Sequence, residues 1–170
     1  SLFDYETAKR GRANNYPPYG LGVLARHLLN NKHQPLILNL NHEVLKVVAA
    51  SSSPIDYDYT WKVFLESQIL AFKPEVIGVT CLFSVTGKSL VNVCQHIRKM
   101  TQVPLCIGGV HVTHDVDNIL KETGADYAFL NESEKAFIRF LDVVEGKSRA
   151  PLVQVVTKEG RKYLDKLIPV

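Results

Sequence analysis

Residues Val76–Thr80 read VIGVT, Pro104–Ile107 read PLCI and Asp126–Leu130 read DYAFL. These three runs decide the fold. Each is short and almost wholly apolar, as a strand must be when both faces of its sheet are covered. Helical spacing fills the gaps between them. Leu90, Val93, Cys94 and Ile97 form one stripe, and Val116–Thr123 forms a shorter one that stops at Gly124. Asn131, followed three residues later by Glu134, reads as a capping pair. The helix it opens is buried through Phe137, Phe140, Leu141 and Val144. Strands that alternate with helices imply βαβ units and right-handed crossovers. The fold class is therefore α/β: a Rossmann-like, flavodoxin-like three-layer domain with a mostly parallel sheet.

Upstream, Leu21, Leu24, Ala25, Leu28 and Leu29 predict a helix after Pro17-Pro18. Pro35–Leu40 (PLILNL) predicts a strand, and Glu43–Ala50 a short helix. Trp61, Phe64, Leu65, Ile69 and Phe72 predict a further helix, stopped by Pro74. Downstream, Leu152–Val156 and Arg161–Leu164 flank Lys158-Glu159-Gly160, the pattern of a C-terminal β-hairpin. The pattern opens with a helix, and residues 1–16 hold no convincing strand. A doubly wound sheet starts with a strand at its centre, so the expectation is a sheet lacking its first strand. Its uncovered edge would favour a homodimer. Three divisions follow: an irregular segment 1–16, an α/β domain 17–150, and a hairpin with linker 151–170.

The chain has 170 residues, which suits one domain, and its hydrophobic fraction of 46% is ordinary for a globular protein. A net charge of +3, with no dense basic patch, gives no argument for a nucleic-acid partner. No apolar run approaches a membrane span and no signal peptide is visible, so the expected location is cytoplasmic. Cys81, Cys94 and Cys106 are too far apart for one zinc or iron–sulfur motif. Buried free thiols are the better reading. His111 and His114 have a ligand-like gap but lack a third partner, so no metal site is assigned.

In an open α/β sheet the ligand sits beyond the carboxyl ends of the strands. Three loops fall there. The first offers Thr80, Leu82 and Ser84; the second, Gly108-Gly109-Val110-His111-Val112-Thr113; the third, Asn131, Glu132 and Ser133. Adjacent glycines let a ligand or another backbone come close, because no Cβ intervenes. They could equally serve a tight turn. Neither G-x-G-x-x-G nor G-x-x-x-x-G-K-[ST] occurs, which disfavours dinucleotide and P-loop sites. No serine or cysteine nucleophile stands beside an evident base.

At these loops the chain resembles the cobalamin-binding domains at the N-terminus of many radical S-adenosylmethionine enzymes. Pro17-Pro18-Tyr19-Gly20-Leu21 with Leu24-Ala25 and Leu28 is similar to the family's opening helix. Val76–Thr80 with Leu82 is similar to its strand and S-x-L element, with Thr80 in place of serine. Gly108–Thr113 is similar to the G-G-x-H-x-T loop, and Gly124-Ala125-Asp126-Tyr127 followed by Glu132-Ser133-Glu134 to G-A-D-Y and G-E-G-E. Asn131 and Ser133 depart from that last pattern, standing where the family has glycine.

The resemblance implies cobalamin as cofactor, its nucleotide tail running between the strand ends. Thr80, Leu82, Ser84, Gly108, Gly109, His111, Thr113 and Glu132 are the implied cofactor-binding residues. The D-x-H-x-x-G motif with the cobalt-ligating histidine is absent, as is the C-x-x-x-C-x-x-C that would hold a [4Fe–4S] cluster. Cleavage of S-adenosylmethionine would therefore belong to a C-terminal radical domain of the same parent chain. The expected function is a cobalamin-binding module of a methyltransferase or cyclase, catalytically inactive alone. The alternative is the same fold kept as a structural or interaction domain without cofactor.

Overall fold

The computed structural model describes residues 18–160 together with Lys162 and Tyr163. These residues belong to two compact units: one runs to Ala25 and resumes over Pro35–Lys73, and the other holds Arg26–Gln34 and everything from Pro74 onward. Helix α1, Tyr19–Asn30, begins in the first and ends in the second.

The first unit is helical. Its helices α2 (Leu40–Ala50) and α3 (Tyr57–Phe72) pack on each other. Each starts where a short polar side chain takes an orphan backbone donor: Asn39 accepts from the His42 N–H at 3.0 Å and Asp56 from the Tyr59 N–H at 2.9 Å. Val44, Val48 and Leu65 are buried. The strand expected over Pro35–Leu40 does not form. Residues 35–39 enter no ladder, and Leu40 is already helical. Leu36 and Ile37 are exposed. An apolar run becomes a strand only when a neighbour takes up its backbone groups, and no described strand does so here.

The second unit holds the sheet: β1 (Ile77–Thr80), β2 (Leu105–Gly108), β3 (Tyr127–Phe129), β4 (Val155–Thr157) and β5 (Lys162–Tyr163), in that spatial order. The first three run parallel, with Ile77 opposite Leu105 and Cys106 opposite Tyr127. The expected hairpin is present, antiparallel, and β4 continues the sheet beside β3. Among the described residues β1 pairs with β2 alone, so its other side is an edge. The crossovers are α4 (Gly87–Met100) after a 3₁₀ turn, then α5 (Val110–His114) with α6 (Val116–Thr123); α7 (Glu134–Val144) leads to the hairpin.

Alternation along β2 sorts the layers. Cys106 faces a cluster with Phe129, Ala136, Phe140, Leu141, Val153 and Val155, so α7 covers that face. Leu105 and Ile107, also buried, face the other way. There α4 and α6 pack together and bury Leu90, Cys94, Ile97, Ile119 and Leu120. Phe140 is the hub of the first cluster, its ring 4.7 Å from Tyr127 and 5.4 Å from Phe129.

Asp126, just before β3, joins four elements. It pairs with Arg98 of α4, accepts from the Leu105 N–H of β2 at 2.9 Å, and takes Lys158 Nζ, just past β4, at 2.7 Å. Burial raises the Asp126 pKa, but these donors outweigh it and hold the carboxyl below its usual range. No helix among the described residues is long and apolar enough to cross a membrane.

Candidate functional site

The parallel strands end together, and the three exit loops are built into one another. The Cys81 N–H donates to the Gly108 carbonyl at 2.9 Å, extending β1 against β2 by one residue. The chain after β2 then folds back, so that the His111 N–H reaches the Cys81 carbonyl at 3.3 Å. Gly109 makes this possible. Its φ of 104° belongs to glycine, and a Cβ there would lie 2.4 Å from the Cys81 carbonyl oxygen and 3.0 Å from Thr80 Oγ1. A Cβ on Gly108 would make ordinary contact, 3.7 Å from the Phe129 carbonyl oxygen.

The Thr113 hydroxyl links the second loop to the third. It donates to the Gly109 carbonyl at 3.3 Å and accepts from the Asn131 N–H at 3.1 Å. Asn131 is left-handed, with φ 57°, a conformation asparagine tolerates better than other residues with a Cβ. That explains how it can stand in a glycine's place. The capping role read for Asn131 is not what forms: Ser133 is the N-cap of α7 and makes no side-chain cap bond. Gln154, buried beside β4, secures the third loop by donating Nε2 to the Glu132 carbonyl at 3.0 Å and the Leu130 carbonyl at 3.3 Å.

Of the residues singled out from the sequence, Thr80, Gly109 and Thr113 lie in this interlocked region. Leu82, Ser84 and Glu132 are exposed on the loops. Gly108 is the last residue of β2. The stretch expected to be an open loop after Gly109 is instead helix α5, so His111 and Thr113 are helical residues. The His111 ring lies against the first turn of α4, where a Cβ on Gly87 would come 2.7 Å from its Nε2.

Sequence reasoning named Leu82 but passed over its apolar neighbours. Leu82, Phe83 and Val85 after β1 and Val110 at the start of α5 are between 55% and 71% exposed, on segments that touch through the His111–Cys81 bond. The signal was present in Leu82-Phe83-Ser84-Val85, an apolar run outside any strand. Gln154 was also missed; a polar residue inside Leu152–Val156 was its only mark.

The three cysteines are free and buried. Burial pushes the Cys94 thiol up to about 12 and raises Cys106 as well, so neither supplies a thiolate near neutrality. Among the described residues no group of three or more His, Cys, Asp or Glu could hold a metal ion.

The B12 binding domain family model matches residues 10–141. The chain belongs to that family. Cobalamin is accordingly the cofactor against which the B12 binding domain's loops are to be judged. A corrinoid carries a broad ring edged with methyl groups and amides, and a polar nucleotide tail. The exposed apolar side chains and the hydroxyls of Thr80 and Ser84 at the strand exits suit such a molecule.

Two solved structures share the fold, both of the radical S-adenosylmethionine methyltransferase TsrM from Kitasatospora setae. One, with cobalamin and a [4Fe–4S] cluster bound, matches at a TM-score of 0.72 and 18% identity over 92% of this chain and 27% of its own. The other, with tryptophan substrate and a SAM analogue bound, matches at a TM-score of 0.67 and 18% identity over 84% of this chain and 26% of its own. The chain thus spans about a quarter of those proteins. No curated protein matches it.

Proposed function

We propose that this B12 binding domain holds cobalamin for a larger radical S-adenosylmethionine enzyme of methyltransferase or cyclase type. The observation that carries the reading is the exposure of Leu82, Phe83 and Val85 after β1 and of Val110 after β2, all at the strand exits. Exposed apolar side chains at the strand exits suit the methyl-edged ring of a corrinoid. Thr80, Ser84 and the exposed Glu132 would meet the cofactor's polar groups, and Gly108 would let the tail pass close to β2. His111 and Thr113 act through the loops they anchor. Cobalamin, when bound, supplies a cobalt centre for group transfer; this chain supplies position and shelter from water.

The [4Fe–4S] cluster and S-adenosylmethionine belong, on this reading, to a partner domain following the hairpin. In this division residues 17–150 form the cofactor domain and 151–170 lead toward that partner. The side of β1 that pairs with no strand among the described residues is where two copies would pair as a homodimer. One finding favours the second reading, a domain that keeps the fold without cofactor: the Cys81 carbonyl fills the space beside Gly109, so this glycine is explained without a ligand.

Titration with hydroxocobalamin, followed by corrin absorbance, separates the two readings. Saturable spectral change supports the cofactor module, and none at any concentration supports the structural domain. After anaerobic iron–sulfur reconstitution the chain alone should release no 5′-deoxyadenosine from S-adenosylmethionine; release above a protein-free control would overturn the assignment of that step to a partner domain.

A further inference from the structure

Gln154 has a backbone that a glutamine is poorly suited to. It is 6% exposed and left-handed, with φ 53°, a region that glycine and asparagine enter at the lowest cost. Strain of this kind persists where the surroundings hold it, and it gathers where a site is shaped. The Gln154 carbonyl accepts the Leu130 N–H at 2.9 Å, which carries the β3–β4 ladder one residue past the pairing of Phe129 with Val155. A residue of any type could make that bond. Only a long amide side chain supplies the other two: Nε2 donates to the Leu130 carbonyl at 3.3 Å and to the Glu132 carbonyl at 3.0 Å.

These two carbonyls flank Asn131, which is itself left-handed with φ 57°. The Asn131 N–H donates to the Thr113 hydroxyl at 3.1 Å, and that hydroxyl donates to the Gly109 carbonyl at 3.3 Å. The third exit loop is therefore gripped twice, by α5 through Thr113 and by the buried Gln154 through its side chain. The Glu132 carbonyl is fixed while the residue itself stays exposed. Gln154 is too deeply buried to offer a ligand more than the loop it holds.

We propose that Gln154 is a positioning residue of the cofactor site, holding residues 130–132 in the posture in which Glu132 and its neighbours meet cobalamin. The proposal rests on the cofactor reading. Its competitor is that Gln154 merely turns the chain into β4. Asparagine, which adopts the left-handed conformation more readily, would then serve as well or better.

The probe is hydroxocobalamin, titrated against the full chain as parent, Gln154→Asn and Gln154→Met, each shown to be folded by its urea midpoint. Asparagine eases the backbone but is one methylene too short to reach Glu132. Methionine keeps the length and loses the donor. Each variant should bind about fivefold more weakly, the factor that one such hydrogen bond carries. Without cofactor, exchange of the Asn131 amide should quicken by a similar factor in both. Exchange of the Cys81 amide, bonded to Gly108 across β1 and β2, should keep the parent's rate. Parent affinity in both variants, or unchanged Asn131 exchange in both, would overturn the proposal and leave the cofactor reading standing. No binding by the parent itself would defeat that reading and the proposal with it.

Discussion

Replacing Gly109 with alanine should destabilise the sheet unit by about 3 kcal/mol or more, and the same change at Gly108 by less than about 1 kcal/mol. The two residues are neighbours at the end of β2, yet their surroundings differ. Gly109 has φ 104° and ψ 170°, a region that is essentially glycine's alone and costs other residues about 1–3 kcal/mol. The new Cβ would also stand 2.4 Å from the Cys81 carbonyl oxygen and 2.9 Å from its carbon. Both are backbone atoms, so the clash cannot be relieved by a rotamer change, and overpacking of this kind adds about 1–3 kcal/mol. At Gly108 the nearest atoms are 3.7 Å and 3.8 Å away, which is ordinary contact. Urea unfolding read by a tertiary-structure signal is the assay. With an m-value of about 2 kcal/mol/M, the loss at Gly109 lowers the midpoint by about 1.5 M. A Gly109→Ala midpoint within about 0.3 M of the parent would refute the close approach of the β1 and β2 exits on which the site rests.

Phe140→Ala should cost about 3–5 kcal/mol in the same assay, since it empties the centre of the aromatic cluster under α7; a loss under about 1 kcal/mol would show the cluster is not packed as described. The Asp126 carboxyl has its pKa lowered in the folded state, so the stability it contributes is present above the unfolded value of about 3.9 and is lost as pH falls through the folded one. Asp126→Asn should therefore be less stable than the parent near neutrality, and the gap should narrow on acidification; a gap independent of pH would contradict the network. The β1 edge should support concentration-dependent dimerisation in light scattering, reduced by Gly78→Pro, because Ile77 and Cys81 donate toward β2 and Gly78 faces away. A monomer at every concentration would rule that edge out as an interface.

The parallel strands were legible because their apolar runs are what a doubly covered sheet demands, and Gly124 and Pro74 marked helix ends. Pro35–Leu40 misled for a physical reason. Strand propensity is realised only through a partner, and Leu36–Leu38 look alike whether or not one is present. Helix α5 was hidden because Gly108-Gly109 read as an open loop, whereas only Gly109 is a turn and helical geometry resumes at Val110. The junction of the β1 and β2 exits was legible in outline through Thr80 and Gly109. Its interlocking through Thr113, Asn131 and Gln154 depends on contacts between residues 18 to 24 apart in sequence, which no local pattern records. The residues 1–16, read as an irregular segment, lie outside the described residues.

The central claim is that the exposed apolar surface at the strand exits receives cobalamin. Phe83 and Val85 are 67% and 71% exposed, so charging them leaves the core intact. The decisive measurement is hydroxocobalamin affinity in the parent and in Phe83→Asp and Val85→Asp, with folding checked by urea midpoint. Saturable binding by the parent is expected, with at least a tenfold loss in each variant, about 1.4 kcal/mol, at unchanged stability. Equal affinity in all three proteins would place the cofactor elsewhere.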